Sequence, residues 1–351
     1  MSAAPDKKRQ ISVEGPSNIA FVKYWGKTGR QYPMNPSLGM TLKHCVTKCC
    51  VTYVRSTNGF SLETYRFAGQ SHEKFQNRIE TYLRSILDIC PVLQDLSLSI
   101  ETENTFPHSA GIASSASVFA SIGMALAKIE QDVEHVDHKS IEQRASELAR
   151  LGSGSAARSI QGPYSIWGEY KAEKSMNDYA SPLADLDPSF AQVKDAILLI
   201  DRSEKTVSSS AGHALMGAHP FRQSRITQAQ THTGEIITAM RSGDWEKFGA
   251  VLEAEALSLH AMMMTSRPSF ILLAPKSLTA MEKIRAFRAQ SGLPVYFTID
   301  AGPNIHLIYP KHHETDVEDF IKTDLAALCQ DGAFIIDECG AGATVTGHAN
   351  V

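Results

Sequence analysis

A strand-like segment, a loop of small and hydroxylated residues, and a long helical pattern follow one another in the sequence. Leu96 to Thr102 alternates as a strand, Pro107 to Ala116 forms the loop, and Ser117 to Ile129 has the spacing of a buried helix. The first amides of a helix have no partner within the helix, and its dipole places partial positive charge there. This order of elements predicts an anion site, in the form of a phosphate loop.

The residue types in the loop fit a nucleotide, although they also fit a plainer structure. Gly111 would let the backbone come close to a ligand, and the hydroxyls of Ser114 and Ser115 could bind a phosphate oxygen or Mg²⁺. The loop is not a Walker A motif and not a dinucleotide fingerprint, because it lacks a Gly-Lys-Ser/Thr end and a spaced glycine triplet. Taken alone, the two serines could simply cap a core helix.

An aromatic pair flanked by lysines forms the second unusual segment. Lys23 and Lys27 lie on either side of Tyr24, Trp25 and Gly26. In a surface loop, the rings would pack inward and the lysines would stay in water. In a binding site, the lysines would meet phosphate or carboxylate oxygens while the rings shape the pocket.

A glycine- and serine-rich loop follows the helix that Ser140 is expected to cap. Ser153 and Ser155 offer hydroxyls, and Arg158 offers a planar group with the geometry to hold a carboxylate or phosphate. The alternative is a flexible turn with a surface arginine. A third hydroxyl-rich loop runs from Lys205 to Gly212.

Asp300 comes directly after the apolar strand pattern Pro294 to Ile299 and before Gly302 and Pro303. A carboxylate fixed at the end of a buried strand could act as a base or orient a substrate group. A turn aspartate that binds its own backbone is the alternative.

Chain length, net charge and residue counts limit the possible binding partners and the cellular compartment. A chain of 351 residues is long enough for two domains. Its net charge of -4 gives no reason to expect nucleic acid or an anionic membrane as a partner. The six cysteines are not spaced as zinc ligands, and no secretory or membrane-spanning segment is apparent, so we expect reduced thiols in a cytoplasmic protein. The thirteen histidines show no HExxH spacing, which argues against a transition-metal site.

Hydrophobic spacing and turn residues predict a mixture of strands and helices. We expect a hairpin in which Thr47 to Val54 pairs with Leu62 to Phe67, and a polar, proline-broken link at Asn177 to Pro188. The other predicted strands are Gln10 to Glu14, Asp195 to Ile200, Ile305 to Tyr309 and Ala333 to Asp337. The other predicted helices are His72 to Leu87, Phe221 to Met240, Trp245 to Met262, Ser277 to Ser291 and Asp316 to Leu328.

Four segments together resemble the diphosphomevalonate decarboxylase family of the GHMP kinase superfamily. They are Asn18 to Lys27, Phe106 to Ala116, Gly152 to Ser159 and Asp300 to Asn304. The resemblance covers nearly the whole chain in order. The serine loop marks only the superfamily, whereas Lys-Tyr-Trp-Gly-Lys and Asp-Ala-Gly-Pro-Asn are more selective.

The resemblance implies a two-domain α+β fold. Residues 1–190 would form an ATP-binding domain like the second domain of ribosomal protein S5, and residues 191–351 a ferredoxin-like domain. It also implies ATP- and Mg²⁺-dependent conversion of mevalonate 5-diphosphate to isopentenyl diphosphate in a cytoplasmic homodimer. The alternatives are a related kinase or decarboxylase acting on mevalonate or phosphomevalonate, and a non-catalytic metabolite-binding relative.

By matching position, the resemblance implies a role for each candidate residue. Asp300, Arg158, Lys23 and Ser114 would be catalytic, with Asp300 on the 3-hydroxyl and Arg158 on the substrate carboxylate. The other substrate-binding residues would be Tyr24, Lys27, Ser153, Ser155, Ser208 and Ser209. The nucleotide would contact Lys74, Ser109, Gly111, Ala113, Ser114, Ser115 and Lys205, and Ser115 would also bind the metal.

The sequence departs from the family pattern at three places. His108 stands where the family has a threonine after the loop proline, and Pro36 lies within the Asn-Ser-Ser turn of the family. The tail from Asp337 onward does not align. These departures leave open whether the substrate carries one phosphate or two at its 5-position.

Overall fold

The computed structural model describes residues 7–107, 112–134, 140–203 and 209–350. The strands are β1 (Arg9–Ala20), β2 (Lys27–Thr28), β3 (Tyr32–Pro33), β4 (Ser37–Arg55), β5 (Ser61–Phe67), β6 (Gln70–Ser71), β7 (Leu96–Asn104), β8 (Tyr164–Trp167), β9 (Ser181–Pro182), β10 (Val193–Leu198), β11 (Tyr296–Thr298), β12 (Ile305–Pro310), β13 (Phe334–Glu338) and β14 (Thr344–Asn350). The helices are α1 (Glu73–Ser85), α2 (Ser114–Glu134), α3 (Ile141–Gly152), α4 (Ser209–Leu215), α5 (Arg222–Ser242), α6 (Trp245–Met264), α7 (Pro275–Ser291) and α8 (Glu314–Phe320).

The first sheet packs against the helix α2, whose N-terminus follows its strand β7 in the chain. Its strands lie in the order β14, β1, β4, β7, β5 and β6, and β8 and β9 extend from β4. Apolar residues of α1, α2 and α3 pack with those of β1, β4, β5 and β7 in one core. Small residues on α2, such as Ala116 and Ala120, are fully buried. The N-terminus of α2 therefore lies at the edge of a rigid layer.

The predicted hairpin between β4 and β5 is wrong. β7 lies between them, antiparallel to β4 and parallel to β5. Its alternating residues Leu98 and Ile100 are buried in the first core. Neighbouring strands are about 4.8 Å apart, so the short connection after Arg55 can step across one strand position. The turn residues between β4 and β5 do not show that β7, which comes later in the sequence, inserts between these two strands.

The second sheet is antiparallel and four-stranded, in the order β11, β12, β10 and β13. Residues of α6, α7 and α8 form a separate core with it. The mixed α+β class predicted from the sequence is confirmed. Since β11 ends at Thr298, the residues that follow, including Asp300, leave this sheet at its edge.

Three further predictions need correction. β1 continues to Ala20 instead of ending at Glu14, because its second half pairs with the start of β4. The segment Gly154–Ser159 is a 3₁₀ helix and not an open loop. The last predicted helix ends its regular part at Phe320 and continues as a π-helical turn, Ile321–Leu325.

The C-terminal tail returns to the first sheet. β14 is antiparallel to β1, with Arg9 opposite Asn350 and Glu14 opposite Thr344. The division into two domains after residue 190 stays a prediction. Although β14 comes late in the sequence, it belongs to the sheet that the N-terminal residues form. All six cysteines are free thiols, as expected. Among the residues that the structure describes, no helix has both the length and the apolar character needed to cross a bilayer.

Asp337 joins the two sheets at a bulge in β4. The β1–β4 register passes from Pro16 opposite Val46 to Asn18 opposite Thr41, which leaves several backbone amides of β4 without partners on β1. The fully buried carboxylate of Asp337, on β13, accepts hydrogen bonds from the amides of Lys43, His44 and Cys45 at 2.7 to 3.0 Å. The carboxylate therefore satisfies the amides that the bulge exposes.

Replacing Asp337 with alanine should lower the free energy of unfolding by about 3 kcal/mol, because several buried amides lose their acceptor. Urea unfolding followed by circular dichroism measures this change. Asp319→Ala, at an exposed position of α8, is the control and should change stability by less than about 0.5 kcal/mol. Equal stability of the two variants would show that Asp337 does not join the sheets.

Candidate active site

One cavity of about 410 Å³ gathers most of the residues that the sequence singles out. The predicted residues that line it are Lys23, Tyr24, Lys27, Ala113, Ser115, Ser153, Ser155, Arg158 and Asp300. The cavity lies where the end of β1, the N-terminus of α2, the 3₁₀ helix Gly154–Ser159 and the segment after β11 meet. Residues from both sheets therefore face one space.

Lys23 and Asp300 form an ion pair across this space. Lys23 follows the end of β1, and its Nζ lies 2.7 Å from Asp300 Oδ1 and 2.7 Å from the carbonyl oxygen of Ala20. The Lys23 side chain is 1% exposed, whereas that of Asp300 is 30% exposed. The carboxylate is therefore the more accessible member of the pair.

The electrostatics of the pair favour an ionised carboxylate. Burial opposes ionisation of Asp300, but the attraction of Lys23 outweighs it, so the pKa of Asp300 lies below its ordinary value. His306 and Arg158 act in the same direction. Burial lowers the pKa of Lys23, and Asp300 opposes that shift.

Arg158 is a buried cation held by neutral groups. Its Nη1 donates to Ser37 Oγ at 2.8 Å and its Nη2 donates to Asn18 Oδ1 at 3.0 Å. Within the described part of the chain no carboxylate pairs with Arg158, and its Nε has no hydrogen-bond acceptor. Burial lowers its pKa to about 10, so it stays charged at neutral pH. Such a group is suited to receive an anion from the cavity.

Gly39 explains why Arg158 can lie where it does. An added Cβ at this position would come 2.9 Å from Arg158 Nε and 2.8 Å from the carbonyl oxygen of Ile19. A larger residue would push the guanidinium away from Ser37. The absence of a side chain at Gly39 therefore sets the path of Arg158 over β4.

An aromatic wall closes another side of the cavity. The Tyr24 ring lies 4.9 Å from the Trp167 ring and 4.3 Å from the His213 ring. His213 Nδ1 accepts a hydrogen bond from the amide of Gly26 at 3.0 Å. Burial lowers the pKa of His213 to about 3, so its ring is neutral. The buried Tyr24 hydroxyl has no partner among the residues that the structure describes.

The phosphate-loop end of the cavity presents hydroxyl oxygens. α2 begins at Ser114, and the next side chain, Ser115, has its Oγ 3.3 Å from Ser153 Oγ. Ala113 before them has a φ of 38°, a region that residues with a Cβ seldom adopt. These oxygen donors fit a phosphate or a hard cation. In the described ranges there is no group of three or more His, Cys, Asp and Glu that could hold a metal ion.

Some predicted residues fall elsewhere. Lys74 is exposed on α1 and does not line the cavity, and Ser114 begins α2 without lining it. Ser209 begins α4, but its side chain is not described. The remaining ones, Ser109, Gly111, Lys205 and Ser208, lie outside the described residues.

The sequence analysis missed several residues of the site. Arg78 lines the cavity one helical turn after Lys74, and the i, i+4 spacing could have indicated it. His213 could have been suspected from the serine-rich loop before it. Asn18 and Ser37 hold Arg158 through contacts more than 100 residues apart in sequence, and no local pattern indicates such pairs.

Comparison with protein families matches both halves of the chain. Residues 15–178 match the Diphosphomevalonate decarboxylase-like N-terminal domain. Residues 196–338 match the Mevalonate 5-diphosphate decarboxylase C-terminal domain. The diphosphomevalonate decarboxylase of Saccharomyces cerevisiae is 30% identical over 330 residues, which cover 88% of this chain and 80% of that protein. The human diphosphomevalonate decarboxylase is 27% identical, over 84% of this chain and 75% of that protein.

Solved structures give the same result. A chain described as MDDEF in complex with MVAPP, AMPPCP and magnesium superposes with a TM-score of 0.82 at 27% identity, over 96% of this chain and 99% of that one. Mevalonate diphosphate decarboxylase from Staphylococcus aureus has a TM-score of 0.82 at 27% identity, over 97% and 98% of the two chains. The expected GHMP kinase fold is therefore confirmed.

Tyr24→Phe should raise the free energy of unfolding of the unliganded protein by about 1 kcal/mol, because it removes a buried hydroxyl without a partner. Tyr164→Phe is the matched control. Its hydroxyl donates to the Phe190 carbonyl at 2.8 Å, so its loss should destabilise the protein by about 1 kcal/mol. Urea unfolding of both variants tests whether the two changes in unfolding free energy have opposite signs. Destabilisation by Tyr24→Phe would show that the Tyr24 hydroxyl does have a hydrogen-bond partner.

Proposed function

Because the chain belongs to the diphosphomevalonate decarboxylase family, we propose that it catalyses the ATP-dependent decarboxylation of mevalonate 5-diphosphate. The products are isopentenyl diphosphate, CO₂, ADP and phosphate. The reaction has two requirements. A group must act on the 3-hydroxyl as it receives a phosphoryl group, and another must hold the carboxylate that is lost.

One observation carries the proposal. An ionised carboxylate, Asp300, lines the same cavity as the guanidinium of Arg158, which has no carboxylate partner in the described ranges of the chain. A small acid that bears both a hydroxyl and a carboxylate could contact both groups at once. Held in this way, the substrate would have its reacting parts fixed relative to each other.

Asp300 acts on the tertiary alcohol. Its carboxylate accepts a hydrogen bond from the 3-hydroxyl and takes the proton as the hydroxyl oxygen attacks the γ-phosphorus of ATP. Lys23 keeps Asp300 charged and oriented before the transfer. The lowered pKa of Asp300 means that the proton moves late, when the new phosphorus–oxygen bond has begun to form.

Arg158 then acts on the carboxylate. When the bond between carbon 3 and its phosphate oxygen breaks, carbon 3 becomes electron-deficient. The electron pair of the carboxylate carbon–carbon bond forms the new double bond as CO₂ leaves. Arg158 fixes the carboxylate without protonating it, because a guanidinium stays charged. Tyr24, Lys27, Ser153 and Ser155 line the remaining substrate surface.

The serine loop holds the nucleotide. Ser115 presents its hydroxyl beside the N-terminus of α2, which fits triphosphate oxygens and an oxygen-ligated cation, and the hydroxyl of the substrate-side Ser153 lies next to it. Mg²⁺ bound with ATP supplies charge neutralisation on the transferred phosphoryl group. The other proposed nucleotide or substrate contacts are Lys74, Ser109, Gly111, Ala113, Ser114, Lys205, Ser208 and Ser209.

The family also suggests an assembly state and a compartment. We propose that the protein is a homodimer and acts in the cytosol. Light scattering on the purified protein and fractionation of cells test these two statements.

A product assay separates the proposed reaction from that of a kinase. With ATP and mevalonate 5-diphosphate, the protein should release ADP and CO₂ in equal amounts, and mevalonate 5-phosphate should be the poorer substrate. Asp300→Ala and Arg158→Ala should each lower turnover by about 10²- to 10⁴-fold while ATP-analogue affinity is retained. ADP without CO₂ would identify a kinase. Unchanged turnover in either variant would remove that residue from the mechanism.

The acid limb of kcat/KM should move to higher pH in Lys23→Met. Activity requires ionised Asp300 and therefore falls as pH drops through its pKa. Removing the Lys23 charge leaves burial as the main influence, which raises the pKa of the carboxyl. The residual activity of Lys23→Met, measured between pH 4 and 8, tests the shift. Lys27→Met is the control, because Lys27 does not contact Asp300 and should leave the limb in place.

A further inference from the structure

The backbone of Lys23 is clamped by two helices of the second half of the chain. Its amide donates to Glu255 Oε2 on α6 at 2.8 Å. Its carbonyl oxygen accepts hydrogen bonds from Arg225 Nη2 on α5 at 3.3 Å and from Asn35 Nδ2 at 3.0 Å. Both polar groups of this peptide segment are therefore fixed by side chains distant in sequence.

Glu255 is the centre of this clamp. Its side chain is fully buried, and Arg225 binds both carboxylate oxygens, at 2.8 and 2.6 Å. His232, on α5, has its Nδ1 2.6 Å from Oε1. Burial opposes the charge on Glu255, but the bonds from His232 and Arg225 outweigh it and the pKa of Glu255 is lowered. The carboxylate is thus fixed in charge and in position.

The same helix contacts the other member of the catalytic ion pair. His260, five residues after Glu255 on α6, has its Nε2 3.1 Å from the carbonyl oxygen of Asp300. Five residues of α-helix span about 7.5 Å along the axis. α6 therefore holds the backbone of Lys23 and that of Asp300 at a fixed separation.

We propose that Glu255, supported by Arg225 and His232, is a positioning residue that sets the backbone of Lys23 so that its ammonium meets Asp300. The inference rests on the proposed function for its effect on turnover. Lys23 follows the end of β1, outside the ladder, and its side chain has four rotatable bonds. Without Glu255, the amide of Lys23 loses its acceptor, and the chain path that directs the ammonium to the carboxylate is less constrained.

A second buried glutamate on α6 provides a matched control. Glu253 is 5% exposed and binds two arginines, Arg285 Nε at 3.0 Å and Arg288 Nη1 at 2.7 Å. It differs from Glu255 in that it has no contact with Lys23. Glu253→Gln and Glu255→Gln both weaken a glutamate–arginine pair, but Arg285 and Arg288 are partly exposed whereas Arg225 is buried, so Glu253→Gln should lower the thermal midpoint less than Glu255→Gln.

The kinetic test compares these two variants. Glu255→Gln should lower kcat by about 10- to 100-fold, because small displacements of a reacting group have effects of this size. Its KM for mevalonate 5-diphosphate should stay within about threefold of wild type, since Arg158 is untouched. Glu253→Gln should keep the wild-type kcat. Equal kcat values for Glu253→Gln and Glu255→Gln would overturn the inference.

His232→Phe is a second test variant, which keeps the inference testable if Glu255→Gln does not fold. It removes one bond to Glu255 and leaves both arginine bonds in place. We expect kcat to fall by about threefold to tenfold. A wild-type kcat in this variant, with Glu255→Gln unfolded, would contradict a positioning role for the clamp.

A spectroscopic readout separates this inference from the proposed function. In ¹⁵N-labelled protein, NMR can follow the ammonium protons on Nζ of Lys23. These protons should be protected from exchange with water in wild type and Glu253→Gln, and should lose that protection in Glu255→Gln. This measurement needs no turnover, so it holds even if the wild-type protein releases no CO₂. Retained protection in Glu255→Gln would overturn the inference and leave the proposed reaction standing.

Discussion

The structure depends on the burial of a lysine ammonium against a carboxylate. An ion removed from water loses several kcal/mol of hydration, and only close partners compensate for that loss. Lys23 Nζ has two, Asp300 and the Ala20 carbonyl, both at 2.7 Å. These contacts require that the end of β1 and the segment after β11 meet. The two sheets must therefore be locked together, and Asp337 at the β4 bulge and Glu255 on α6 provide such links.

The charged groups of the site are not all paired: one cation has no carboxylate partner among the described residues, and this excess positive charge favours an anionic ligand. Arg225 and Glu255 satisfy each other, and so do Lys23 and Asp300. Among the residues that the structure describes, Arg158 is held by hydroxyl and amide oxygens and by no carboxylate, so these five groups together carry one net positive charge. In the proposed reaction, an anionic substrate supplies the missing partner. Because Asp300 keeps its charge beside Lys23, the same site also offers an acceptor for a hydroxyl proton.

The sequence predicted the groups that touch the cavity better than the groups that hold them. Local pattern marked both Asp300, after a buried strand, and Arg158, in a glycine- and serine-rich segment, as candidates. It left a plain turn open as the alternative for each, and the family resemblance supplied their roles. Glu255 lies inside a regular helix, where its sequence context does not distinguish it from a solvent-exposed glutamate. β14 and the insertion of β7 beside β4 were also missed, because strand order depends on long-range packing that turns do not encode. Contacts such as Arg158 with Ser37 arise only in the folded chain.

The ionisation of Asp300 in the unliganded protein tests most directly whether the ion pair exists as described. Carbon-13 NMR of protein labelled at aspartate carboxyl carbons, compared with an Asp300→Asn sample to assign the signal, measures it. A carboxylate paired with Lys23 should remain ionised from neutral pH down to about pH 5, since its pKa lies below the ordinary aspartate value. A titration midpoint above pH 5 would show that burial dominates and that Lys23 does not hold the base in its charged form.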